Sequence, residues 1–424
     1  MNYMAEKFII NGERKLEGAI EVRGSKNAAF PIIMATLLTQ EDCIIDNIPL
    51  IEDIQRIFDI LKSMDVEVQW LAERKVRINA KNLDSSKIRE DIVRKLRGSI
   101  LLFGALLARE GKAKLPQPGG CVIGARPIST HLDAFAQLGV KISPQHNKFK
   151  MEVGPRLGGE VLLNEFSVTG TCNVMIFSAL QEEATIIKCA DQDYQVQELA
   201  AVLKKMGAGI RLLPMHMIEI KGAKKLKGFT VKLIPDPIEA GTFILMAAAT
   251  KSKVLVKNVP YQYLEYPLKR IRDFGIVWER PAKDEILVLP AHNIKIEKVQ
   301  ALPYPGMPTD LLPLFGVLST QLQGLTLLHD PLYEGRLKYL EELNKMGANI
   351  IFADPHRAIV SGPTPLYGVE INSPDLRGGA SLIVGALIAS GSTTIGNIYQ
   401  VDRGYEKIDE RLRAIGADIQ RINT

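Results

Sequence analysis

The segment LPQPGGCVIGARP, residues 115–127, sets Cys121 directly behind two glycines and five residues ahead of Arg126. A thiol reacts as its thiolate, and a fixed positive charge nearby favours that form. Glycines leave the segment free to fold over a ligand. By spacing alone two readings stay open, an inert thiol and a reactive one. Other residues able to do chemistry stand where apolar helices begin: Ser25-Lys26-Asn27, Arg97, Thr169-Gly170-Thr171, Glu239 to Thr242, Thr309-Asp310 and Arg377-Gly378. A helix start presents unpaired N–H groups and the positive end of its dipole, so several of them facing one cleft would bind an anion. Ser, Thr and Asp at these places are also ordinary N-caps. Lys26, Arg97 and Arg377 are not, because a cation is disfavoured there. A negative ligand between them accounts for their placement.

The helices that carry these residues read NAAFPIIMATLL, GSILLFGALLA, NVMIFSALQ, GTFILMAAAT, LLPLFGVLST and GASLIVGALIA. They are apolar all round and so are expected to be buried on every side. A second phrase recurs as LKSMDVEV, FAQLGVKI, LKKMGAGI, IRDFGIVW, LNKMGANI and LRAIGADI. Each reads as an amphipathic helix end, a cap residue and a strand. The cap is Gly139, Gly207, Gly275, Gly347 or Gly416, with Asp65 in the first copy, where a left-handed residue ends a helix at low cost. The period of roughly 70 residues gives six repeats over the chain. The expected fold class is α/β, with three repeats wrapping sheets around buried parallel helices in each of two lobes. The expected limits are 23–233 for one lobe and 1–22 with 234–424 for the other, the chain crossing twice at a hinge.

With 424 residues, 46% hydrophobic and 24% charged, the chain is an ordinary globular one with room for two cores. A net charge of +5 without a block of like charges argues against a nucleic-acid surface or a membrane patch. SLIVGALIA and similar runs are too short to span a bilayer, and MNYMAEKFII lacks signal-peptide organisation. Cys43, Cys121, Cys172 and Cys189 show no metal-ligand spacing, and the six histidines form no HxxH pattern. The expectation is a cytoplasmic protein with free thiols, no metal and no cofactor. Its oligomeric state is not legible.

VRGSKNAAFPI, LPQPGGCVIGARP, FSVTGTCN, PDPIEAGTF, YPGMPTDL, PDLRGGASL and YQVDRGYEKI, in that order, resemble the UDP-N-acetylglucosamine 1-carboxyvinyltransferase family, within the EPSP synthase-like superfamily. The resemblance covers essentially the whole chain and implies a two-lobed inside-out α/β barrel. It also implies an activity: transfer of the enolpyruvyl group of phosphoenolpyruvate to the 3-hydroxyl of UDP-N-acetylglucosamine. Phosphate is released after C–O cleavage, at the first committed step of peptidoglycan synthesis. The absence of a P-loop fits, since no phosphoryl group is transferred.

The resemblance assigns roles by position. Lys26, Arg126 and Arg403 match phosphate binders, and Arg336 and Arg377 match residues that hold the carboxylate. Asp310 matches the group that takes the sugar hydroxyl's proton. Cys121 matches the loop general acid, which forms an adduct with phosphoenolpyruvate and is alkylated by fosfomycin. Asn27 and Arg97 match the sugar-nucleotide and intermediate site. Arg126, Pro127, Ile128, Ser129 and Thr130, then Glu165, Phe166, Ser167 and Val168, and finally Leu332, match segments lining UDP-N-acetylglucosamine.

Departures from the family pattern gather on the nucleotide side. The segment after ARP reads Ile128-Ser129-Thr130-His131, without the usual aspartate, and Cys172 stands in place of a glutamate. The acidic AREPE segment is Asp191-Gln-Asp-Tyr-Gln195, Pro237 replaces an arginine, Leu312 a glutamine and Gly335 an asparagine. Three readings follow: the peptidoglycan enzyme, an enolpyruvyl transferase for another nucleotide acceptor, and a silent sugar-nucleotide-binding paralogue. Shikimate 3-phosphate fits less well, because the Cys121 loop belongs to the sugar-nucleotide branch.

Overall fold

The computed structural model describes residues 6–119, 123–124, 127–154 and 158–423. They form two compact units, with the chain passing between them at 23–24 and 234–235 and on either side of residues 123–124. Residues 24–119, 127–154 and 158–234 make one unit. Residues 6–23, 123–124 and 235–423 make the other.

In the first unit the helices Lys26–Ala35, Leu102–Glu110 and Val168–Ser178 pack against one another. Helices Pro237–Ala249, Leu312–Ser319 and Leu376–Ile388 do the same in the second. Nearly every residue of these helices is buried, as their continuous apolar sequences require. Close approach is built in at Gly104, where a Cβ would lie 2.5 Å from the Asn173 carbonyl oxygen on the neighbouring helix. The apolar residues divide into two cores, one confined to each unit.

Sheets cover the helices. Five of the six have four strands in one pattern: a parallel pair, then two antiparallel neighbours. The sixth, Lys112–Pro116 with Val140–Gln145 and Lys148–Val153, has three. They are separate sheets, so among the described residues the strands do not close into one hydrogen-bonded barrel. Two strands are exchanged along the chain. Glu17–Glu21 precedes helix Lys26–Ala35 in sequence but pairs with Lys253–Lys257, while Thr230–Lys232 precedes helix Pro237–Ala249 but pairs with Cys43–Asp46.

All six cap residues adopt positive φ, from 59° at Asp65 to 111° at Gly207. A left-handed residue lets the chain leave the helix and enter a strand within two residues. Aspartate tolerates that conformation better than most side chains, which accounts for the first copy.

Candidate active site

Asp310 lies in the turn Thr309–Leu311, held extended on its N-terminal side by Pro308 and continued by helix Leu312–Ser319. Its two oxygens are divided between two arginines. Arg336 Nη2 donates to Oδ1 at 2.8 Å, and Arg377 Nε donates to Oδ2 at 3.0 Å. Arg377 is in the first turn of helix Leu376–Ile388, whose N-cap, Asp375, accepts the N–H groups of Arg377 and Gly378. Arg336 follows the strand Gly324–His329 through a short turn. The Arg336 and Arg377 side chains are 2% and 4% exposed, against 23% for Asp310.

Burial works against both guanidinium charges, but negative neighbours outweigh it and hold each protonated more firmly than a free arginine. For Arg336 these are Asp310, Asp375 and Asp330; for Arg377 the hydroxyl oxygen of Tyr405, whose own proton is held on by burial, acts beside Asp310 and Asp236. Asp236 shows the opposite balance, since burial raises its pKa although Arg377 opposes the shift. The sequence reading expected the two arginines to await an anion. Within the unit both are paired with a carboxylate of the chain, Asp310, as a buried charge requires.

Arg403, the other candidate of this unit, is buried beside helix Tyr399–Asp402 and donates to Gln400 Oε1 at 3.0 Å. The preceding residue, Asp402, is gripped by both terminal nitrogens of Arg421 at 2.7 and 2.8 Å. The last strand, Asp418–Asn423, therefore anchors the DRGYE segment. Leu332 is exposed in the turn ahead of Arg336.

In the unit of residues 24–234, Lys26 opens its helix after the N-cap Ser25 and pairs with Asp53 at 2.8 Å, both buried. Here too the buried cation is paired with a carboxylate of the chain. Asn27 follows Lys26 in the same helix turn, and Arg97 Nη2 donates to the Pro127 carbonyl at 3.2 Å. Ile128 is buried, Ser129 exposed, and Thr130 donates to Glu165 at 3.1 Å. Ser167 caps the helix that begins at Val168, and Phe166 is exposed against His216, ring centroids 4.8 Å apart. Cys121 and Arg126 lie outside the described residues.

Sequence reasoning missed the supporting shell. Asp53, Asp330 and Asp375 each hold a candidate cation or its turn, yet each reads locally as a helix-start or turn aspartate. His131 was noted only as part of an altered segment. Asn173 Nδ2 donates to its Nδ1 at 2.9 Å, with the amide oriented by the Gly104 N–H on Oδ1, also at 2.9 Å. His131 Nε2 therefore carries the proton and donates to Thr169 Oγ1 at 3.2 Å. The signal for this network was the polar Asn173 at the head of the apolar run NVMIFSALQ. No group of three or more His, Cys, Asp or Glu side chains among the described residues could hold a metal. No helix among them is long and apolar enough to cross a membrane.

Residues 10–412 match the model of the EPSP synthase (3-phosphoshikimate 1-carboxyvinyltransferase) family, and the chain belongs to that family of carboxyvinyltransferases. Within it, the chain is similar to UDP-N-acetylglucosamine 1-carboxyvinyltransferase of Treponema denticola, with 37% identity over 98% of this chain and 99% of the relative. It is similar also to UDP-N-acetylglucosamine 1-carboxyvinyltransferase 2 of Carboxydothermus hydrogenoformans, with 38% identity over 99% and 100%. The family resemblance read from the motifs thus holds. Among solved structures, the enolpyruvyl transferase NikO from Streptomyces tendae superimposes with a TM-score of 0.90 over 99% of both chains at 21% identity, a likeness of fold.

Proposed function

We propose that the protein is a cytoplasmic enzyme that transfers the enolpyruvyl group of phosphoenolpyruvate to the 3-hydroxyl of UDP-N-acetylglucosamine, with release of phosphate, as the first committed step of peptidoglycan synthesis. The observation that carries this reading is full-length similarity, at 37% and 38% identity, to relatives of that name. The carboxylate of Asp310 between two buried arginines supports it.

Asp310 takes the proton of the sugar hydroxyl as its oxygen bonds to C2 of phosphoenolpyruvate. A general acid, Cys121, delivers a proton to C3. The adduct then loses a C3 proton as the C2–O bond breaks, and inorganic phosphate leaves. Lys26, Arg126 and Arg403 bind the phosphate, and Arg336 and Arg377 bind the carboxylate. Asn27 and Arg97 contact the intermediate. Residues 126–130 and 165–168 with Leu332 line the nucleotide. Each charge-assisted bond to the substrate contributes about 1.5–3 kcal/mol. The arginine pair also fixes the direction of Asp310's lone pairs before substrate arrives, which is the pre-organisation a base requires.

One specific observation favours a second acceptor. Ser129, exposed at the start of helix Ser129–Gln137, stands where the family pattern has an aspartate. The test is phosphate release from phosphoenolpyruvate with UDP-N-acetylglucosamine, then with a panel of other nucleotides. Release with the named sugar nucleotide is expected. Release only with another nucleotide selects the second reading, and none with any selects a silent paralogue.

A further inference from the structure

Asp330, at the end of the strand Gly324–His329, is completely buried and carries no role in the reading above. Its Oδ1 accepts the N–H groups of Leu332 at 2.9 Å and Tyr333 at 3.0 Å, closing the turn that leads to Arg336. A turn aspartate needs nothing more. Here the second oxygen is committed as well, because Oδ2 accepts the hydroxyl of Thr309, the neighbour of Asp310. That hydroxyl oxygen in turn accepts Arg336 Nε at 3.0 Å, while Arg336 Nη2 reaches Asp310. The Asp330 main chain is pinned too: its N–H donates to the His356 carbonyl at 2.8 Å, and its carbonyl accepts from His356 Nδ1 at 2.7 Å.

We infer that Asp330 is a positioning residue for the proposed reaction: by holding the Thr309 hydroxyl it sets Arg336 and Asp310 in register with each other. The chemistry of the relay is directional. A hydroxyl has one proton to donate, and Asp330 accepts that hydrogen bond. The oxygen therefore presents a lone pair, and that lone pair orients Nε of Arg336. With Nε fixed, the planar guanidinium directs Nη2 at Asp310. Without the Oδ2 acceptor the hydroxyl turns freely, and its proton competes for Asp310 or faces Nε as donor against donor. Asp330 also lies 3.8 Å from the guanidinium, so its charge holds Arg336 in place.

This inference rests on the enolpyruvyl-transfer reading, and the experiment separates the two. Phosphate release with phosphoenolpyruvate and UDP-N-acetylglucosamine is compared for the unmodified protein, Asp330→Asn, Thr309→Val, Thr309→Ser and the Asp330→Asn/Thr309→Val double variant, at a temperature where circular dichroism shows each folded. Asparagine keeps an oxygen for the Leu332 and Tyr333 N–H groups but cannot accept the hydroxyl. The expectation for Asp330→Asn is a kcat lowered about tenfold to hundredfold, a raised KM for phosphoenolpyruvate and a KM for the sugar nucleotide within about twofold. Thr309→Val matches that loss, while Thr309→Ser loses at most about twofold. The double variant loses no more than the worse single one, as coupled groups do. If Asp330→Asn fails to fold, the Val and Ser pair at 309 carries the test. An unchanged kcat in Asp330→Asn, losses that multiply in the double variant, or equal losses in Val and Ser overturn the role and leave the functional reading standing. No turnover by the unmodified protein removes the reading and this role with it.

Discussion

In the proposed reaction Asp310 is the base, and the structure shows it paired with Arg336 and Arg377. Asp310→Asn removes the base and leaves two buried guanidinium groups facing an amide whose nitrogen cannot accept their hydrogen bonds. The expected result in a phosphate-release assay is a fall in kcat of at least about a hundredfold. The thiols give a second prediction at this scale. Cys172 is fully buried, and burial raises its pKa well above the ordinary thiol value. Burial pushes the Cys43 thiol up to about 12. Neither is a ready nucleophile at neutral pH, so alkylation by fosfomycin, mapped by peptide mass, is expected on Cys121 and to vanish in Cys121→Ala. Burial also raises the Cys189 thiol, and labelling of Cys43, Cys172 or Cys189 in the folded protein contradicts this assignment.

Cys43 has a thermodynamic counterpart as well. An unfolded thiol ionises near about 8.5, whereas the folded one keeps its proton to higher pH. Unfolding therefore releases a proton above that value, so the thiol's contribution is full below about pH 8.5 and falls as pH rises toward 12. Urea midpoints at pH 7.5 and 9.5 should separate more for the natural protein than for Cys43→Ala. At this scale the sequence exposed what stands in motifs: Asp310, Arg377 and Arg403 all sit in segments whose residue types repeat a family pattern. The aspartates that hold them did not show. An aspartate before a helix or in a turn has a sufficient local reason to be there, and its second, long-range partner leaves no local trace.

Among the elements, the six buried helices and the six left-handed caps were legible because each follows from a short-range rule, continuous apolar sequence in one case and positive φ in the other. Close helix contact was less so. Gly104 reads as one small residue in an apolar run, and only the neighbouring helix shows that a methyl group there would strike Asn173. Gly104→Ala is expected to lower stability by about 1–3 kcal/mol through overpacking and to disturb the Asn173–His131 hydrogen bond. Gly207→Ala has open space around it, so its cost is conformational alone, about 1–2 kcal/mol for the left-handed backbone. Chemical denaturation separates the two causes: Gly207→Asn, a side chain that tolerates positive φ, is expected to cost less than Gly207→Ala, whereas no side-chain change at 173 removes the main-chain oxygen that meets the methyl group of Gly104→Ala.

For the whole chain, each compact unit has its own apolar core, and no core residue of one belongs to the other. Phe177, fully buried and edge-on to Phe135 at 5.7 Å, belongs to the unit of residues 24–234. Phe177→Ala is expected to cost about 3–5 kcal/mol there, and amide hydrogen exchange should rise within that unit while the helices of residues 237–249, 312–319 and 376–388 keep their protection. The repeat gave away the number of units and the lobe to which the strands 17–21 and 230–232 go, but not the particular strand each one pairs with. Strand pairing is decided by contacts far apart in sequence, and a parallel neighbour carries no signature in its own residues.

The reaction itself leaves a mark that no binding measurement gives. Phosphoenolpyruvate carrying heavy oxygen in the bridge between C2 and phosphorus, turned over with UDP-N-acetylglucosamine, is predicted to yield inorganic phosphate that retains the label and a sugar nucleotide heavier by an unlabelled enolpyruvyl group. Label found in the organic product, with phosphate free of it, places the cleavage at the P–O bond and contradicts the account.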